Sequence, residues 1–360
     1  MVLFRLAVAA AVAAAAAASA PPACLDPAGR EVDWWLAYKL NSGTTYVYID
    51  NATTLARNAP LTLSGSLLDA PGSPLARTLS QLIAGRAALA RVQWNDELPA
   101  ALASPPAANA TAASGTSGHT KGVMGASADG GFYLTHTLPK FPDLTGAAFT
   151  WGGASTTYGQ NFLCLSLAAD QFEVAAAGMQ YADPYVYDSA LPSGVSRALP
   201  ATAALVAGQR QGGTRAAELL TRAGARFLQV SKSGSTGLDI YEDVLQPHLG
   251  QDMWVETWRR SPMMQSYCRP AYAYDSLNVQ GLTFLDEAGE PFPLKYTQDH
   301  SKLAVTAPRS APGAYGNVTC VGDNNRMTSQ WARGGGTVCM LGNQPMHAAF
   351  VASMTSVDAC

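Results

Sequence analysis

Gly118-His119-Thr120-Lys121-Gly122-Val123 and Asp299-His300-Ser301-Lys302 share one signature, a histidine and a lysine separated by a single residue. The chain has only five histidines, and two of them stand in this form. In a strand, residues i and i+2 face the same side, so each tripeptide sets an imidazole beside an ammonium. Such a pair suits a phosphodiester. Lysine can neutralise charge on a non-bridging oxygen, and two imidazoles can divide attack at phosphorus from protonation of the leaving oxygen. His119 and His300 lie 181 residues apart, about half of the chain. Two similar halves, each giving half of one site, would produce that spacing. Two chance matches on solvated strands would also produce it, and spacing alone does not choose.

The surrounding sequence reads as interleaved strands and helices. Apolar runs at 32–40 and 46–49, parted by Gly43, read as two strands. Ser73-Pro74 is a helix start, a capping hydroxyl followed by proline at the first helical position. Leu75, Leu79, Leu82 and Ile83 then fall on one stripe. Residues 99–118 have loop composition. Strands are expected at Val123, at 132–137 after the turn Asp129-Gly130-Gly131, and at 162–167. Pro192 and Pro200 flank a boundary. Beyond it the pattern predicts a helix over 215–223, a strand over 226–230 and an apolar run over 279–285. The expected class is α/β or mixed α+β, with no short-period repeat.

Composition narrows the function classes. With 360 residues, 48% hydrophobic and 14% charged, the chain can bury a large core and is not broadly disordered. A formal net charge of −3 argues against a histone-like polyanion binder, though not against a basic cleft. Residues 1–20 read as a cleaved secretory signal: Arg5, an alanine-rich apolar run, then Ala18-Ser19-Ala20. No later run is apolar enough to anchor the chain in a membrane. All six cysteines follow that segment, and in an oxidising compartment their even number implies three disulfides. Spacing leaves their pairing open. No Cys-x-x-Cys occurs and no acidic or histidine cluster adjoins either tripeptide, so neither a metal nor another cofactor is expected. Asn51, Asn109 and Asn317 head glycosylation sequons.

The wider context of both tripeptides resembles the deoxyribonuclease II family. Its marks are Gly118 to Val123, Asp129-Gly130-Gly131-Phe132, His136 with Pro139 and Phe141-Pro142, and Asp299-His300-Ser301-Lys302. Further marks are Cys320-Val321-Gly322-Asp323 with Asn325-Arg326, Arg333-Gly334-Gly335-Gly336-Thr337, Val32-Asp33-Trp34, Tyr38-Lys39-Leu40, Asn95-Asp96 and Thr157-Tyr158-Gly159-Gln160. The resemblance spans roughly residues 24–360. It implies a phospholipase D-like fold of two pseudo-symmetric halves, 21–195 and 196–360, sharing one site. It also implies metal-free acid hydrolysis of DNA, leaving 3′-phosphate and 5′-hydroxyl ends, in the lysosome or vacuole or outside the cell. His119, Lys121, His300 and Lys302 become the catalytic set, with His119 the preferred nucleophile. His136 and Asn325 become phosphate-contacting residues. The implied disulfides are Cys24–Cys164, Cys268–Cys360 and Cys320–Cys339.

This sequence departs from the related patterns in two respects. The phospholipase D pattern has an aspartate five positions after each lysine, where Ala126 and Ala307 stand here, which leaves open what orients the imidazoles. Residues 303–317 also differ from animal members, with Leu303 in place of an aromatic and Ala311-Pro312-Gly313 inserted. The alternatives are a related phosphodiesterase acting on RNA or lipid, or a non-catalytic DNA-binding relative. Weaker features receive plain readings: Gly334 to Gly336 as a turn, Trp258-Arg259-Arg260 as a solvated face, Trp34, Trp35 and Tyr38 as core, and His248 and His347 as surface or structural residues.

Overall fold

Trp34–Lys39 (β1) is apolar at nearly every position, and all six residues are buried. In a sheet wetted on one face such a run would alternate with polar residues, so both faces of this strand must be covered. The computed structural model describes residues 20–102, 117–310 and 313–360. Trp34, Leu36 and Tyr38 enter one apolar cluster, while Trp35 and Ala37 enter a second cluster on the opposite face. The first half continues with Thr45–Asp50 (β2), Leu63–Leu67 (β3), helix Pro74–Ala84 (α1), Ala90–Trp94 (β4), Gly122–Ser127 (β5), Gly130–His136 (β6), Gln160–Ala168 (β7), helix Ala169–Met179 (α2) and Val186–Ala190 (β8). Its sheet runs β8-β4-β5-β6-β7-β1-β2-β3.

The second half holds Thr214–Leu220 (β9), Arg226–Lys232 (β10), Met253–Thr257 (β11), Ser276–Leu285 (β12), Pro291–Lys295 (β13), Lys302–Thr306 (β14), Val318–Gly322 (β15), Gly335–Leu341 (β16) and helix Gln344–Ser353 (α3). Its sheet runs β9-β10-β16-β15-β14-β11-β12-β13. Five adjacent strands therefore repeat. β4-β5-β6-β7-β1 in the first sheet has the same antiparallel pairing as β11-β14-β15-β16-β10 in the second. Phe227, Leu303, Val305 and Val338 join Trp34, Leu36 and Tyr38 in the central cluster, with Phe172 and Met179 of α2 and Met346 and Phe350 of α3 between the sheets. α1 covers the outer face of the first sheet. Ile240, Tyr241, Leu245 and Leu249 cover that of the second. The order is helix, sheet, helices, sheet, helix, a mixed α+β fold.

Several local readings hold for their stated reasons. The Ser73 hydroxyl accepts from Ala76 N at 3.1 Å, and Pro74 opens α1. Gly130 adopts φ +120° in the β5–β6 turn, a conformation that glycine tolerates. The helix expected over 215–223 is a correction. Residues Thr214–Leu220 form an edge strand, paired one-to-one with Arg226–Lys232 across seven positions. Leu219 is fully buried while Thr214, Ala216, Glu218 and Leu220 lie toward solvent. Tertiary pairing has overridden the helical preference of its alanines.

All three disulfides join the pairs Cys24–Cys164, Cys268–Cys360 and Cys320–Cys339. Among the described residues no helix is long and apolar enough to cross a membrane. Residues 1–19 of the expected signal at 1–20, and Asn109, within 103–116, lie outside the described residues, as do Ala311 and Pro312 of the inserted stretch.

Candidate active site

Both tripeptides sit at strand entrances rather than within strands. His119, Thr120 and Lys121 lead into β5, and Lys302 is the first residue of β14. The alternation still holds. Thr120 turns to the core, where its Oγ1 accepts from Trp94 Nε1 at 3.1 Å. Ser301 is fully buried and bonds Tyr38 and Asp299. The hydroxyl residue between histidine and lysine is thus the peg that fixes each tripeptide.

Each histidine is seated by the opposite half. His119 N donates to Gly334 O at 2.8 Å, and its Nδ1 lies 2.6 Å from Asp323 O. His300 N donates to Gly159 O at 2.9 Å. The strand registers make these contacts equivalent. Gly122 pairs with Thr135 and Thr135 with Leu163; Leu303 pairs with Val321 and Val321 with Val338. Gly159 then corresponds to Gly334, Tyr158 to Arg333, and Asp96 to Trp258. The frame is symmetric, but the side chains around the histidines are not. His119 has Asp96 at 3.7 Å from its Nε2, and Asp96 also pairs with Lys121 and with Arg333 at 3.1 Å. His300 lies between aromatic rings, Tyr158 stacked at 3.9 Å and 7° and Trp258 at 3.9 Å, with the Arg260 guanidinium 3.7 Å above Trp258.

This arrangement supplies what Ala126 and Ala307 do not. A carbonyl only accepts, so the contact with Asp323 O places a proton on His119 Nδ1 and leaves Nε2 with its lone pair. Aromatic stacking fixes the plane of His300, whose buried Nε2 has no hydrogen-bond partner.

The electrostatics follow from enclosed cations. Burial, then Lys121, pushes the His119 imidazole well below its ordinary value, against Asp96. Burial, then Lys302, Arg260 and Lys121, pushes His300 down to about 3. Burial and Lys121 bring Lys302 down to about 7. Burial alone would raise Asp96, but Lys121, His119 and Arg333 hold it well below the carboxylate range. Burial raises Asp323 to about 7 despite Thr120 and Lys121. Lys121 acts on Lys302, and both lysines act on both histidines, so the charges of the two tripeptides meet at one site. Among the described residues no three His, Cys, Asp or Glu side chains converge as a metal site.

His136 meets this site through its main chain, with His136 N donating to Lys121 O at 3.1 Å. Its ring is buried between Phe162 and Phe141, both nitrogens unpaired, and burial lowers it to about 3. Asn325 is buried with its Oδ1 unpaired. Trp258-Arg259-Arg260 is no solvated face: Trp258 packs against His300, tilted by 40°, and Arg259 is 5% exposed and donates to Val279 O at 3.0 Å. The glycine run at 334–336 is a close backbone approach rather than a free turn, since a Cβ on Gly334 would fall 2.5 Å from Ala182 O. Trp34, Trp35 and Tyr38 are core. His347 is buried, its Nε2 2.7 Å from Thr306 O; His248 stacks on Tyr315. Sequence reading gave no role to Asp96, Tyr158 or Arg333. Equivalent positions carry unlike residue types, so no repeated motif marks them.

The family model for deoxyribonuclease II matches residues 23–360. Plancitoxin-1 of Acanthaster planci is 31% identical over 355 residues, covering 94% of this chain and 92% of that protein. Deoxyribonuclease-2-alpha of Sus scrofa is 33% identical over 331 residues, covering 88% and 85%. Deoxyribonuclease-2 of Caenorhabditis elegans is 31% identical over 351 residues, covering 88% and 89%. A match across nearly the whole chain, with both histidine–lysine tripeptides meeting at one site, makes this protein a member of the deoxyribonuclease II family.

Proposed function

We propose that this chain is an acid endodeoxyribonuclease that cleaves DNA without a metal through a phosphohistidine, leaving 3′-phosphate and 5′-hydroxyl ends. The observation that carries this reading is the meeting of two imidazoles and two ammonium groups, each histidine seated by the other half. His119 Nε2 attacks phosphorus as the P–O5′ bond breaks, and protonated His300 gives its proton to O5′. Neutral His300 then takes a proton from water, whose oxygen attacks phosphorus. The P–N bond breaks, freeing the 3′-phosphate and His119. Lys121 and Lys302 hold the non-bridging oxygens. A phosphate between them offsets the positive charge that depresses His300, so substrate itself favours the protonated acid.

His136 and Asn325 complete the phosphate pocket in this reading, supported by their buried unpaired polar atoms. The repeated strand order supports two phospholipase D-like halves, 21–195 and 196–360, forming one domain. The disulfides support passage through the secretory pathway, after removal of residues 1–20, to a lysosome or vacuole or to the exterior. Asn51 is exposed and Asn317 partly exposed, as glycan acceptors require.

The test compares His119→Ala, His300→Ala and His248→Ala on plasmid DNA at pH 5 with EDTA, and on an activated nitrophenyl phosphodiester. His300→Ala should lose plasmid nicking yet keep the first-turnover release of nitrophenol from the activated ester, which needs no leaving-group acid, and then stall as the phosphohistidine. His119→Ala should lose both, and His248→Ala should lose neither. Near-normal activity of His119→Ala on both substrates, or activity abolished by EDTA and restored by magnesium, contradicts the mechanism.

A further inference from the structure

Two lysines outside the histidine–lysine tripeptides are among the most enclosed charged groups in the chain: Lys39 is 0% and Lys232 1% exposed. They occupy equivalent places. Lys39 ends β1 opposite Gln160 of β7, and Lys232 ends β10 opposite Gly335 of β16. Each ammonium gives its donors to main-chain carbonyls. Lys39 Nζ reaches Leu40 O at 2.8 Å, Gly43 O at 2.9 Å and Thr156 O at 3.2 Å. Lys232 Nζ reaches Gln330 O at 3.3 Å, Trp331 O at 2.9 Å and Arg333 O at 2.6 Å. Thr156 and Trp331 are themselves equivalent, two residues before Tyr158, which stacks on His300, and Arg333, which pairs with Asp96 beside His119.

We infer that Lys39 and Lys232 are a symmetry-related pair of positioning residues, each holding the loop that seats the catalytic histidine of the opposite half. The loop held by Lys39 carries Tyr158, stacked on His300, and Gly159, whose carbonyl accepts from His300 N. The loop held by Lys232 carries Arg333, paired with Asp96 beside His119, and Gly334, whose carbonyl accepts from His119 N. A buried ammonium suits this work. Three carbonyls converging on one point repel one another unless a cation sits among them, and leaving any of them buried and unpaired costs stability. Apolar packing could fill the space but could not fix the carbonyl directions. Displacing a catalytic group by about 1 Å can cost 100-fold in rate, so a loop anchor acts on turnover before it acts on folding.

The inference rests on the two-histidine reading, and one experiment separates the two. Lys39→Met and Lys232→Met are compared with His119→Ala and His300→Ala, using kcat and KM at pH 5 on plasmid DNA and on the activated nitrophenyl ester. Each lysine variant should follow the histidine that its loop seats. Lys39→Met should resemble a weak His300→Ala, with kcat on plasmid down about 10- to 100-fold and the first-turnover release of nitrophenol from the activated ester largely spared. Lys232→Met should lower kcat on both substrates, like His119→Ala. KM should change little in either. If the two histidine variants exchange behaviours, the lysines should exchange with them. If neither histidine variant distinguishes the substrates, the reaction reading fails, and the lysines are judged by kcat: a 10-fold loss at unchanged KM in a folded chain upholds them. Where the histidine variants do distinguish the substrates, equal losses on both substrates from both lysine variants overturn the inference; wild-type rates overturn it in every case. Lys39→Gln and Lys232→Gln, which keep two donors, should recover part of the loss. Should both substitutions at one lysine prevent folding, the residue serves the fold and the inference is wrong.

Discussion

At equivalent positions Asp96 and Trp258 give the two imidazoles opposite surroundings, and that difference has measurable consequences. Asp96 attracts a proton to His119, which in the proposed mechanism must be neutral to attack. Asp96→Asn removes that attraction, so the pKa of His119 falls further. The acid limb of the rate profile, where the nucleophile is protonated, should then move down by about one pH unit. Activity should also fall about 10-fold or more, because Lys121 and Arg333 lose their shared counter-charge. Trp258 acts on the other limb. An aromatic face favours a cation by ~0.5–2 kcal/mol, so Trp258→Leu should make His300 harder to protonate. The alkaline limb should move to lower pH, with little change in the first-turnover release of nitrophenol from the activated ester. Rate profiles from pH 3 to 8 for both variants check these shifts, and movement upward in either case contradicts the assignment. Lys302 adds a binding effect. Its ammonium is depressed to about 7, so its charge is present below that pH and lost above it. KM for DNA should therefore rise as pH passes through about 7.

Elements turn these residue preferences into position, and α1 offers a clean measure of one of them. Ser73 caps its first turn, on the helix that covers the outer face of the first sheet. Ser73→Ala should cost about 1 kcal/mol and lower the melting temperature by a few degrees, with the rate at pH 5 unchanged. A calorimetric melt and a plasmid assay test both halves of that statement. The cap was legible because Ser-Pro before a 3.6-residue stripe is a local signal. β1 was legible for a similar reason, since a short, continuous apolar run rich in aromatics and bounded by a glycine turn fits a strand covered on both faces. Thr214–Leu220 was not: its alanines favour helix, and only the long-range partner Arg226–Lys232 makes it a strand. The site divides in the same way. His119, Lys121, His300 and Lys302 repeat a local pattern and could be found by it. Tyr158 and Arg333 are joined to the histidines only through matched strand registers, and their residue types differ, so no local pattern connects them. Lys39 and Lys232 do repeat one residue type at equivalent positions, but that equivalence appears only when the two sheets are compared.

Enclosing so many titratable groups makes the stability of the whole molecule depend on pH, with contributions of opposite sign. His136 and His300 are each depressed to about 3, against about 6.5 in an unfolded chain. Below pH 6.5 the unfolded state binds more protons at these groups, so the stability they give is lost as pH falls toward 3. Asp323 works the other way. Burial lifts its carboxyl to about 7, against about 3.9 unfolded. Between those values the folded state binds the extra proton, so this contribution is fully present below about pH 4 and lost as pH rises through 7. Asp323 thus offsets in acid what the buried histidines lose there, which suits an acid deoxyribonuclease. Asp323→Asn keeps a neutral side chain at every pH and removes only this dependence. Its melting temperature should lie closest to, or furthest below, wild type at pH 4, and should gain on wild type steadily up to pH 8. Thermal melts of both proteins at pH 4, 5, 6, 7 and 8 measure that difference. A difference that stays constant across the series, or that turns against the variant as pH rises, would show that the Asp323 carboxyl is already ionised in the folded protein at pH 5.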